Sequence, residues 1–112
     1  MKTPIQTDHH ALVEKLRQRV LKGPGETPPA VRQEAAKAGA GVSTAQDRYS
    51  DLARQIGESA HRVTDAQVAS VLSVAGSEKA AFEIIAAAAL GAGLLRWQHA
   101  IKTIEEAGDA TK

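Results

Sequence analysis

Residues 84–95 read Ile-Ile-Ala-Ala-Ala-Ala-Leu-Gly-Ala-Gly-Leu-Leu, with Glu83 before them and Arg96 after. No side chain in this run carries a charge or a hydrogen-bonding group. A helix that is apolar on every side must be covered all round. The run is 12 residues, whereas a membrane span needs about 20. It therefore reads as a buried helix of a soluble protein. Ser77 is placed to cap that helix, and Glu78 puts a negative charge in its first turn, where the helix dipole favours one. The pattern continues through Leu94, Trp97, Ile101 and Ile104 to about Ala107. That predicts a rod of roughly 45 Å at 1.5 Å per residue.

The rest of the 112-residue chain suits the same kind of structure. Alanine fills 22 positions, and only three residues are aromatic. Strands favour β-branched and aromatic side chains, so small residues on this scale predict an all-α fold. The length predicts a single domain over residues 1–112, with a radius of gyration of roughly 13 Å and flexible ends at 1–7 and 108–112. The formal net charge is +1, which gives no basis for nucleic-acid binding. The N-terminal residues are polar, with no apolar stretch of a signal peptide. The expected location is cytoplasmic, away from membranes. There is no cysteine, so disulfides, thiolate metal sites and thiol catalysis are excluded.

Glycine and proline divide the remainder into helices. Asp8 caps a first helix to about Leu21, with Leu12, Leu16 and Val20 on one face. Gly23-Pro24-Gly25 stops it. It is a turn after a helix, not a phosphate loop, since no Gly-Lys-Ser/Thr follows. Pro28 and Pro29 open a short second helix that Gly39 and Gly41 end. Ser43 or Thr44 caps a third, about Ala45 to Ala60, with Tyr49, Leu52 and Ile56 as its stripe. Gly57 inside it costs about 1 kcal/mol relative to alanine. Thr64-Asp65-Ala66-Gln67 is a capping box, and Val68, Val71, Leu72 and Ala75 form the face of the helix it starts.

A chain this short has few helices to wrap a rod of that length. The small residues Ala86 to Ala89, Gly91, Ala92 and Gly93 would let another backbone come close. They predict a homo-oligomer joined through the 84–95 region. The alternative is a central helix wrapped by its own chain.

Three segments resemble one known family. They are Gly23-Pro24-Gly25 with Pro28-Pro29-Ala30-Val31-Arg32; Arg62-Val63-Thr64-Asp65 with Val68; and Gly76-Ser77-Glu78 leading to Phe82-Glu83-Ile84 and the alanine–glycine run. Over about residues 12–107 the chain is similar to the carboxymuconolactone decarboxylase and alkylhydroperoxidase D superfamily. The resemblance implies an alkylhydroperoxidase D-like helical bundle and a homo-oligomer, often a trimer or hexamer. The family's peroxidases carry a Cys-x-x-Cys pair, a following histidine and an upstream glutamate. Counted back from Gly76 without gaps, these positions fall on Arg62, Asp65, Ala69 and Ser50. All four depart from the pattern, so the resemblance implies the scaffold without its thiol peroxidase chemistry.

Three residues are candidates for acid–base work: His61, Arg62 and Glu83. His61 titrates near neutrality and could serve as a general base; otherwise it is a loop histidine in solvent. Glu83 would have a raised pKa if buried; otherwise it is a structural carboxylate held by a helix N-terminus or an arginine. Family members also carry a glutamate here, which fits either role. Arg62 would hold a substrate carboxylate. His9-His10 lacks the i, i+4 spacing of a helical zinc site, and no metal or cofactor is expected. Arg96 and Lys102 flank Trp97 and His99, either as a cationic pocket for a carboxylate ligand or as a solvated helix face.

Two functions follow. The first is a non-enzymatic, or at least non-redox, helical oligomer that keeps the family scaffold and binds a small molecule or a partner protein. The second is an acid–base enzyme of the lactone decarboxylase type, acting on a small carboxylate or lactone. A strongly perturbed, buried Glu83 beside a cavity would favour the enzyme. A dry alanine core with Glu83 held by backbone amides would favour the scaffold.

Overall fold

The computed structural model describes residues 8–110; positions 1–7, 111 and 112 lie outside the described residues. Every regular element described is helical: α1 His9–Lys22, α2 Pro29–Gly39, α3 Arg48–Ser59, a 3-10 turn Ala60–Arg62, α4 Asp65–Ala75 and α5 Glu78–Ala110. The chain is all-α with a long C-terminal helix. At 33 residues, α5 spans about 50 Å and sets the longest dimension, 53 Å. It is helical to Ala110 rather than ending near Ala107. The radius of gyration is 16.5 Å, above the value expected for a sphere-like domain, because this rod outruns the body packed on it.

Side-chain caps start most of these helices. Asp8 accepts from the Ala11 amide, Ser77 accepts from the Ala80 amide, and Thr64 and Gln67 complete their capping box. The third helix corrects the expectation. It begins at Arg48, capped by Asp47, which accepts from the Ser50 amide at 2.9 Å. Ser43, expected as a cap, hydrogen-bonds Glu34 instead. Aspartate at the later position wins because its carboxylate also meets the positive end of the helix dipole.

The core lies where α2 and α3 pack on α5. Leu52, Ile84, Ala38, Ala87 and Ala88 are fully buried there. Glycines let the backbones approach. A β-carbon on Gly57 would overlap the Gly39 carbonyl oxygen, one on Gly39 the Ala88 carbonyl oxygen, and one on Gly91 the Ala36 carbonyl oxygen. The close backbone neighbour of Ala88 and Gly91 is therefore α2 of the same chain, not a second subunit. The opposite side of α5 is open: Ala89 and Gly93 are exposed, as are Phe82 at 67% and Ile104 at 65%. The face of α1 marked by Leu12 and Leu16 is also about half exposed. Of the expected face only Val20 packs against the core, partly buried, and Leu21 beside it is the buried residue of the helix.

Candidate functional site

A cluster of polar groups that joins distant parts of the chain centres on Glu83. The α1–α2 loop passes over the first turns of α5 and presents free amides ahead of α2. The Glu26 amide donates to Glu83 Oε2 at 2.9 Å, and the Thr27 amide to Oε1 at 2.9 Å. The Thr27 hydroxyl donates to Oε1 at 2.6 Å. Gly25 sits against the same carboxylate, where a β-carbon would lie 2.8 Å from Oε2. The hydroxyl bond, then the two amide bonds, hold the Glu83 pKa down to about 2, with a smaller contribution from Arg32. A carboxylate stabilised in its charged form is a poor proton carrier near neutrality.

Beneath the loop lies Arg32, 3% exposed. Its guanidinium donates to the carbonyls of Val20 and Gly23 at the end of α1, and to Thr27. Nε alone among the described buried side-chain atoms has no hydrogen-bond partner. Arg32 therefore closes the C-terminal end of α1, whose last carbonyls carry partial negative charge. Together Glu83 and Arg32 fasten one loop to three helices.

His61 and Arg62 are elsewhere in this respect. Both sit in the 3-10 turn between α3 and α4, and both are exposed. Neither hydrogen-bonds Glu83, whose partners are Glu26 and Thr27. The positions that the family resemblance matched to its redox motif are equally ordinary. Asp65 opens α4, Ala69 is exposed, and Ser50 is buried at the start of α3 with its hydroxyl 3.1 Å from Asp47 Oδ2.

The Trp97 region forms a cleft of about 420 Å³ between α1 and α5. His10 packs edge-on against Trp97, with ring centroids 5.2 Å apart. Lys102 and Arg17 line this cleft, but so do Glu14 and Glu105. Arg96 leaves it altogether and donates to the Gly57 carbonyl at 2.6 Å. The cleft is thus mixed in charge rather than cationic.

Sequence reasoning singled out Glu83 but missed Thr27 and Arg32 as its setting. Its hydrogen-bond partners Thr27 and Glu26 are 56 and 57 residues away in the chain. The available signal was a lone arginine in an otherwise alanine-rich helix, where a long polar side chain must find carbonyls or solvent.

Comparison with protein-family models, with curated proteins and with solved structures found no match.

Proposed function

We propose that this protein is a non-enzymatic helical scaffold of alkylhydroperoxidase D-like character, working in the cytoplasm as a homo-oligomer. The observation that carries this reading is the state of Glu83. It is gripped by two backbone amides and a hydroxyl, and its pKa is lowered rather than raised. A general acid or base tuned for work near neutrality needs the opposite shift. The lactone decarboxylase alternative also lacks convergence of His61 and Arg62 with Glu83 at one cavity.

Self-association is supported by the open face of α5. Phe82, Ala86, Ala89, Gly93, Ala100 and Ile104 follow one another at helical spacing along it, and all but half-buried Ala86 are exposed. The expected occupant is the same face of a second copy, since an isologous pairing buries both stripes at once. An 18-residue window of α5 also has a mean hydropathy of 1.4, so by length and composition this helix is one that could cross a membrane. The cytoplasmic reading is supported by its use as a core: Ile84, Ala87 and Ala88 are fully covered by the chain's own helices.

Size-exclusion chromatography with light scattering, over a hundredfold range of concentration, tests the assembly. A native mass of two subunits is the expected result for the isologous contact; the trimer or hexamer that the family resemblance implies would need a further, heterologous interface. A monomer at every concentration refutes self-association.

A further inference from the structure

On the packed side of α5, away from the open stripe, the last turns of α1, the flank of α2 and α5 enclose a groove of about 340 Å³. Leu21, Ala36 and Leu94 form an apolar floor, and Arg17, Lys22 and Lys37 stand around it. No carboxylate lines the groove among the described residues. In a chain with 14 basic and 13 acidic residues, three cations around an apolar floor, against the single acid Glu14 on Arg17, form a local excess. Lys22 and Lys37 make no ion pair among the described residues, and Arg17 holds only a 3.4 Å contact to Glu14 near the surface. The end of α1 would ordinarily repel an anion through its free carbonyls. Here Arg32 occupies the Val20 and Gly23 carbonyls, so that repulsion is covered.

We infer that this groove binds an amphiphilic anion, a medium-chain carboxylate with its chain along Leu21, Ala36 and Leu94 and its head among Arg17, Lys22 and Lys37. The volume is at the lower end of small-molecule sites. The apolar floor distinguishes the ligand from a free inorganic anion. The site goes beyond the scaffold reading and is separate from it: at 100° per residue, Gly91, Leu94 and Leu95 face away from Ala89 and Gly93.

The test is titration of the full chain with decanoate, followed by amide chemical shifts, with decyltrimethylammonium as the cationic control and native mass recorded in parallel. Saturable binding is expected, with shifts centred on Leu21, Ala36 and Leu94. The paired substitution Lys22→Gln with Lys37→Gln should weaken it roughly tenfold while helicity and melting temperature hold. The cationic control should bind more weakly by a similar factor. Absence of saturation at millimolar decanoate would overturn the proposal. So would equal binding of both amphiphiles, or shifts confined to the open stripe of α5. A fall in native mass on adding decanoate, reversed by neither lysine change, would mean that a second copy fills the groove, which also overturns it. Loss of self-association with decanoate binding intact would refute only the scaffold's assembly.

Discussion

Glu83 stands where the first turns of α5 meet the α1–α2 loop. Its carboxylate replaces water with three donors, and such charge-assisted bonds are worth more than neutral ones. Replacing it with alanine leaves the Thr27 amide short of its partner and frees the loop. We expect Glu83→Ala to destabilise the fold by about 2 to 3 kcal/mol, read as a lower urea midpoint. The pH dependence has a definite sign. The folded-state pKa is depressed to about 2 from an ordinary 4.5, so the contribution is fully present above pH 4.5 and is lost as pH falls through 2. Acid unfolding of the native protein should steepen in that window. Glu83→Gln should remove the steepening and lower stability at pH 7; an unchanged acid profile in that variant would contradict the pinning role. Arg32 makes a second case. Its Nη atoms serve three carbonyls, and Arg32→Met keeps much of its length but none of those bonds. A loss of roughly 2 to 4 kcal/mol is expected, measured by the same denaturation; a variant as stable as the native chain would show that the end of α1 needs no cap.

At the level of elements, glycine has two opposite roles in the same fold. Gly57 lies inside α3, where propensity alone favours alanine by about 1 kcal/mol. Its missing β-carbon is nevertheless required, since the Gly39 carbonyl oxygen fills that space. Gly93 lies inside α5 with nothing within 4 Å of the same construction. Gly57→Ala should therefore destabilise by roughly 1 to 3 kcal/mol, while Gly93→Ala, measured at the lowest concentration where the subunit stands alone, should stabilise by about 1 kcal/mol. Urea midpoints of the two variants check this, and the same sign in both would contradict the packing described. This contrast also marks what the sequence makes legible. Helix starts that depend on local chemistry could be read directly, as at Asp8, Thr64–Gln67 and Ser77. The start of α3 could not, because Ser43, Thr44 and Asp47 compete within five residues and Glu34, nine residues from Ser43, takes the serine away. The long apolar helix was evident, but not which side of it the chain would cover. That choice is made by close backbone approaches between α2, α3 and α5, and these leave no periodic mark beyond the glycines themselves. Glu83 was legible as a carboxylate of consequence; its lowered pKa depends first on Thr27, a contact between distant parts of the chain.

For the whole molecule, the question is what becomes of the apolar surface that the chain leaves uncovered. Within the 18-residue apolar window of α5, 39% is buried in the fold. Insertion into a bilayer would strip α2 and α3 from Ile84, Ala87 and Ala88, and give up the close packing their glycines permit. Pairing of two open stripes retains that core and covers Phe82, Ala89 and Gly93 as well. The two outcomes differ in their dependence on concentration. If the stripe is a contact between copies, association stabilises the native state by mass action, so the melting temperature must rise with protein concentration. A single carboxylate at the centre of the stripe should abolish this. Ala89 is exposed, so Ala89→Glu costs little in the isolated subunit, but it sets two like charges against each other across an isologous contact. The native protein should therefore melt several degrees higher at the top of a hundredfold concentration series than at the bottom. Ala89→Glu should melt at one temperature throughout, with unchanged helicity by circular dichroism. A native melting temperature that ignores concentration would leave the α5 face without a second copy, and the protein would then be a single subunit.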